Sequence, residues 1–164
     1  MTYSKTFRQP EQQNLSQKDL YNKALNYLAR REHSRCELQQ KLAQYSDNPN
    51  DIAAVIDRLI EHNLQSDKRF SESFIHSKQA KYGSLRLKET LKQKGISTAT
   101  MQEYLPDLQE EINNAVAILH KKLGTPRPLS MAEKQKAYRF LHYRGFSPET
   151  TKTALRQWQK NNEQ

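Results

Sequence analysis

Arg144-Gly145-Phe146-Ser147 repeats, fifty residues further on, the chemistry of Lys94-Gly95-Ile96-Ser97, and this pair of corners decides the fold. Gly takes the left-handed conformation that ends a helix. The apolar residue after it packs back on the last turn, and Ser caps the next helix. At the same offset Thr100 falls on Thr150 and Leu105 on Leu155. In an earlier copy Lys41-Leu42 holds the equivalent place, without Gly and with a longer loop before Leu59.

Outward from these corners, apolar residues recur at helical spacing. Ser16-Gln17-Lys18-Asp19 starts a helix carrying Leu20, Ala24, Tyr27 and Leu28. Ser34 and Glu37 form a capping-box pattern ahead of Leu38 and Leu42. After the Ser46-Asp47-Asn48-Pro49 loop, Ile52, Val55, Ile56, Leu59 and Ile60 make the most continuous apolar stripe. Asp67 opens a helix with Phe70 and Phe74, which Tyr82-Gly83-Ser84 breaks; Leu87 and Leu91 mark the next, and Ser97 caps a short one with Met101, Tyr104 and Leu105. Leu108, Ile112, Ala115, Val116 and Leu119 begin the third copy. Beyond the Gly124–Pro128 loop, Ser130 and Glu133 repeat the capping box before Ala137, Phe140 and Leu141. Ser147-Pro148 then starts a helix with Ala154, Leu155 and Trp158 inside.

The expected architecture is all-α: three tandem three-helix repeats in an elongated, curved helical array. The expected divisions are a flexible segment 1–15, repeats 16–66, 67–106 and 107–160, and a tail 161–164. Composition agrees, because 35% hydrophobic residues means much surface for little core, as in a stack of small units. Four Gly and six Pro leave little turn chemistry for a many-stranded sheet.

Cys36 is the only cysteine, which rules out an internal disulfide. The polar stretch from Thr2 to Gln17 lacks the features of a signal peptide. No apolar run approaches the length needed to cross a bilayer. The expectation is a cytoplasmic protein without membrane contact.

Lys and Arg total 27 against 18 Asp and Glu, a net charge of +9. Residues 1–66 hold 9 basic and 8 acidic side chains, residues 67–106 hold 8 and 4, and residues 107–164 hold 10 and 6. The positive field therefore lies over the last hundred residues. It suits nucleic acid or an acidic protein surface, and charge alone does not choose between them.

Catalysis finds no foothold. His33 and Cys36 have a spacing found in metal sites, but no second pair completes a ligand set, so a surface imidazole and a buried or half-buried thiol are expected. His62, His76, His120 and His142 are scattered surface residues. The glycines are isolated, and no phosphate-binding loop or nucleophile motif occurs. Glu110-Glu111 lies in a first helical turn, where a carboxylate favours the dipole. No catalytic, cofactor-binding or metal-binding residue is assigned, and the protein is expected to act by binding.

The basic residues cluster near equivalent corners: Arg30, Arg31 and Arg35; then Lys81, Arg86, Lys88, Lys92 and Lys94; then Lys121, Lys122, Arg139 and Arg144. Taken singly, each is a solvated helix residue. Taken together, they form the candidate partner-binding face. Tyr82, Tyr138 and Tyr143 lie among them; stacking on bases or guanidinium groups is open to them, but helical spacing favours core packing.

The order of these elements resembles the RecX family of bacterial regulators. Residues Ala24 to Leu38 (ALNYLARREHSRCEL) are similar to that family's first block. Leu59-Ile60-Glu61-His62-Asn63-Leu64 running into Asp67-Lys68-Arg69-Phe70 resembles its second. Tyr82-Gly83-Ser84-Leu85-Arg86-Leu87 with Leu91-Lys92-Gln93-Lys94-Gly95-Ile96 resembles its third, and Arg144-Gly145-Phe146-Ser147 its C-terminal part. The resemblance spans about residues 18–157. Asn63 stands where the family usually has Gly, and Thr90 where it often has an acid.

The resemblance implies a modulator of RecA, usually an inhibitor, lying in the groove of the RecA–DNA filament. It would limit filament extension, ATPase and strand exchange in recombination and SOS repair. The implied partner is the RecA nucleoprotein filament, with weak non-specific DNA contact; a monomer is expected because the repeats consume the apolar stripes. The alternative is a helix-turn-helix-type protein acting on duplex DNA, with Lys152 and Arg156 on its last helix.

Overall fold

The structure, a computed structural model, describes residues 14–161. Most of the expected segment 1–15 and tail 161–164 lies outside the described residues. Asn14 and Leu15 are held: Asn14 Oδ1 accepts the Asp47 N–H at 2.8 Å, and the Leu15 N–H donates to the Tyr45 carbonyl at 2.9 Å.

Among the described residues all regular structure is helical, in nine helices. They are α1 (Gln17–Arg30), α2 (Arg35–Leu42), α3 (Pro49–Glu61), α4 (Asp67–Lys78), α5 (Ser84–Gln93), α6 (Thr98–Tyr104), α7 (Leu108–Leu123), α8 (Met131–Tyr143) and α9 (Pro148–Lys160). The expected caps set their starts. Ser16, Ser34, Ser97, Ser130 and Ser147 each accept from the N–H three residues on, which satisfies a donor with no partner inside the helix. Asp107 and Glu110 add a third capping box to those of Ser34 and Ser130.

Three corners share one hydrogen-bond pattern. Ile96 N–H reaches the Leu91 carbonyl and Gly95 N–H that of Lys92; Phe146 pairs likewise with Leu141, and Gly145 with His142. Gly95 and Gly145 have φ of 77° and 89°. The same two bonds recur at the end of α3, from Leu64 to Leu59 and from Asn63 to Ile60. There the left-handed position, φ 55°, is filled by Asn63, which tolerates it better than other residues with a Cβ. Its carbonyl and Oδ1 both accept from the Arg69 guanidinium, at 2.9 and 2.8 Å.

The chain divides into two compact units, through Phe70 and from Ser71 onward, with the division inside α4. In the first, Leu20, Ala24, Leu38, Leu42, Ile52, Val55, Ile56 and Leu59 form the core between α1, α2 and α3. In the second, the core of α7, α8 and α9 gathers Ile112, Ala115, Leu119, Leu141, Phe146, Leu155 and Trp158, among others. Burying each large apolar side chain contributes roughly 1.5–3 kcal/mol, so these two clusters hold most of the hydrophobic stabilisation. Helix α5 adds Leu87 and Leu91, followed by Ile96 and Met101.

Two core expectations shift by part of a turn. The inner face of α4 passes through Phe70, Ser71 and Ile75, leaving Phe74 half-buried. Ile60, at the end of the α3 stripe, turns outward.

Candidate partner-binding surface

The first unit neutralises two of its three candidate cations. Arg31 forks onto Glu37, with Nη1 and Nη2 3.1 and 3.4 Å from the two carboxylate oxygens. Arg35 Nη2 lies 3.1 Å from Asp57 Oδ1, and its backbone N–H donates to Asp67 Oδ1 at 2.8 Å. Arg30, in the last turn of α1, is exposed and has no acidic partner among the described residues.

His33, expected at the surface, is 3% exposed instead. Its Nδ1–H donates to the Arg31 carbonyl at 3.0 Å, and its own carbonyl accepts from Gln65 Nε2 at 3.2 Å. Burial pushes the imidazole pKa below its ordinary value. The ring thus fastens the turn between α1 and α2. Cys36 is half-buried, while His62, His76, His120 and His142 are exposed, as expected.

In the second unit the backbone after α4 meets the end of α8. Gly83 N–H donates to the Arg144 carbonyl at 2.8 Å, and Leu85 N–H to that of Gly145 at 3.0 Å. The guanidiniums reciprocate. Arg86 Nη1 reaches the Tyr143 carbonyl at 3.2 Å, and Arg144 Nη1 reaches that of Lys81 at 3.2 Å. Gly83 caps α5 without a side chain; the Ser84 N–H instead donates to Glu111 Oε1 of α7 at 2.8 Å.

Cations and rings alternate around this seam. Arg86 Cζ stands 4.3 Å from the Tyr82 ring centre, and Arg144 Cζ lies 5.7 Å from Tyr82 and 5.0 Å from Phe140. Lys122 Nζ is 4.7 Å from Phe140. Each exposed contact of this kind is worth about 0.5–1 kcal/mol. Three candidate partner-binding cations therefore have structural work: Arg86, Arg144 and Lys122.

The remaining candidates of this unit lie on several elements. On α5, Lys88 and Lys92 lie with Leu85 at spacings of three and four residues, turned away from the buried Leu87 and Leu91. Lys81 precedes the Gly83 turn, and Lys94 caps the end of α5. Lys121 is in the last turn of α7 and Arg139 on the outer face of α8. Lys81, Lys88, Lys92, Lys121 and Arg139 have no acidic partner among the described residues.

The tyrosines part company. Tyr82 stacks with guanidinium groups, Tyr138 packs against the core of α7–α9, and Tyr143 is 77% exposed, against the core role expected of it. The sequence placed Glu111 in the first turn of α7, as found, but gave no sign of its bond to Ser84 or of the close approach at Gly83. Its one available signal was Gly in a cap position normally held by Ser, Thr, Asp or Asn.

Comparison with known proteins covers the same ground. The family models described as the first, second and third three-helix domains of RecX match residues 21–59, 66–105 and 109–160. "Regulatory protein RecX" of Neisseria gonorrhoeae (strain NCCP11945) is 43% identical over 146 residues, which is 88% of this chain and 95% of that relative. "Regulatory protein RecX" of Ralstonia nicotianae is 40% identical over 126 residues, or 76% of this chain and 79% of the relative. The crystal structure of RecX from Lactobacillus salivarius superposes with a TM-score of 0.74 over 87% of this chain and 96% of that one, at 23% identity, which speaks for the fold. Three consecutive three-helix domains and two-fifths identity over most of the length place the chain in one family: it belongs to the RecX regulatory proteins.

Proposed function

We propose that this protein regulates RecA by binding the RecA–DNA filament in its helical groove, where it inhibits ATP hydrolysis, filament extension and strand exchange. Its setting would be cytoplasmic, in recombination and SOS repair, and it would act as a monomer without catalysis. Family membership supports the regulatory role. The observation that supports the mode of binding is the set of cations in the second unit that no acid among the described residues neutralises: Lys81, Lys88, Lys92, Lys121 and Arg139.

A RecA–DNA filament repeats one surface on successive protomers and carries a phosphate backbone. Related three-helix units can meet related sites along it, and unneutralised lysines attract phosphate or acidic side chains without first breaking an ion pair. Arg86 and Arg144 would play a different part, holding the contacting elements in place. Direct contact with DNA would be weak and salt-sensitive.

The test is RecA ATPase on single-stranded DNA with sub-stoichiometric protein, alongside filament length by electron microscopy. Reduced hydrolysis and shorter filaments are expected. Unchanged hydrolysis and length would remove the proposal, and sequence-selective binding to duplex DNA without RecA would favour the helix-turn-helix alternative.

A further inference from the structure

Beside its core-facing side, helix α8 has a largely exposed flank. Ala137 and Leu141 point inward, while Met131, Gln135 and Tyr138 follow one another at spacings of four and three residues along the adjoining flank. With Lys134 and Arg139 they line a shallow surface cavity of about 520 Å³. Met131 is 71% exposed at one end of it. Tyr138, about 10 Å along the helix at 1.5 Å per residue, is half-buried, with part of its ring against the α7–α9 core.

The charge around this ledge has one sign. Lys134 and Arg139 stand at its edges, and none of its lining residues is acidic. The neighbouring carboxylate, Glu133, is already engaged: Arg127 holds it in a two-pronged pair at 2.7 and 3.3 Å, and it closes the Ser130 capping box. The Arg127 guanidinium and the Ser130 N–H hold the Glu133 pKa down at about 2, so it stays ionised and committed to those partners.

We infer that this face of α8 docks an acidic, amphipathic segment of another protein. Its apolar side chains would cover Met131 and Tyr138, and its carboxylates would meet Lys134 and Arg139. A methionine on such a ledge adapts to apolar partners of different shape, and an amphipathic helix supplies apolar anchors and charge at matching spacing. A phosphodiester chain matches less well, because it has no aliphatic group to cover an exposed methionine, and half-burial leaves Tyr138 little face for a base. The inference shares Arg139 with the cations proposed to meet the filament, but it rests on the ledge itself and its test uses no RecA.

The probe is a fluorescein-labelled synthetic peptide of about 14 residues, four helical turns long, with Leu and Phe on one face and Asp and Glu on the other. Fluorescence anisotropy should show saturable binding to the full chain that weakens as salt rises. The same peptide with Asn and Gln for its acids should bind about tenfold more weakly. Lys134→Glu with Arg139→Glu should lower affinity by about tenfold, and Met131→Ser by a few-fold. Thermal melting followed by circular dichroism shows whether each variant folds. Met131 is so exposed that its variant keeps the wild-type melt and decides the matter if the charge reversal does not fold.

Equal affinity for the acidic and neutral peptides would overturn the inference, as would wild-type affinity in the Met131 variant. So would displacement of the peptide by an oligothymidylate at lower concentration than by unlabelled peptide, which would give the ledge to nucleic acid. A dimer in sedimentation velocity that Met131→Ser dissociates would give it to a second copy of this chain.

Discussion

A Cβ placed on Gly83 would lie 2.4 Å from the carbonyl oxygen of Gly145, and one placed on Gly145 would lie 2.3 Å from the Arg86 Cβ. The two glycines thus let the turn before α5 and the end of α8 share backbone hydrogen bonds that any side chain would separate. Gly83 has an ordinary φ of −78°, so it is glycine for closeness, not for conformation. Gly145 needs both.

Alanine at either position should therefore cost more than conformational entropy predicts. Gly83→Ala and Gly145→Ala are each expected to destabilise the protein by roughly 2–4 kcal/mol, through overpacking and lost backbone bonds. Gly124→Ala is the control: φ is 78° there, but a Cβ would meet nothing within 4 Å, so about 1–2 kcal/mol of strain is expected. Urea denaturation of the three variants measures the difference. Equal losses would show that the seam is not closely packed.

Glu111 caps a helix to which it does not belong. Because Gly83 offers no side chain, replacing Glu111 by Ala should cost about 1 kcal/mol, the usual worth of a lost N-cap. Hydrogen exchange should localise the change to the Ser84 amide and the first turn of α5. A loss spread evenly over α7, with Ser84 unaffected, would contradict this role.

Thr151 Oγ1 and Trp158 Nε1 are buried and have no hydrogen-bond partner among the described residues. Thr151→Val exchanges the hydroxyl for a methyl of similar size, so it should leave stability unchanged or raise it by up to about 1 kcal/mol. Trp158→Ala removes a wholly buried ring and should cost about 3–5 kcal/mol. A substantial loss in the valine variant, read from its urea midpoint, would mean that the hydroxyl has a partner.

His33 makes the protein's stability depend on pH. The folded imidazole titrates below its ordinary value of 6.5. As pH falls through 6.5 the unfolded chain takes up a proton that the folded chain resists, so stability declines, and the decline is complete once pH lies below the folded pKa. His33→Asn keeps a donor for the Arg31 carbonyl but cannot titrate. Its unfolding free energy should fall less than that of wild type between about pH 7 and about pH 5.5. Identical slopes would show that other groups carry the dependence.

Local chemistry explains which parts of this architecture were legible in the sequence. Caps such as Ser34 with Glu37, and corners such as Gly95-Ile96-Ser97, act within five residues, so they declare helix ends without knowledge of the fold. Asn63 was visible as a departure from a usual Gly, and its left-handed φ gives the reason. The seam was hidden because Gly83 and Gly145 meet only after two repeats dock. The same distance in sequence concealed that Arg86 and Arg144 bind carbonyls and rings, although they share a charge with Lys88 and Lys92.

That division among the cations gives the most direct test of how the second unit works. Arg86→Ala removes a carbonyl contact and a stacked ring, so it should lower stability by about 1–2 kcal/mol. Lys88 and Lys92 are exposed and have no acidic partner among the described residues, so reversing both to Glu should shift stability by less than about 0.5 kcal/mol per site. If these lysines meet the filament, the double reversal should nonetheless weaken inhibition of RecA ATPase by about tenfold or more, because two attractive charges become two repulsive ones. Arg86→Ala should act on inhibition only through the fraction folded, and conditions that restore its folding should restore its activity. A double reversal that melts and inhibits like wild type would move the contact off this face of α5.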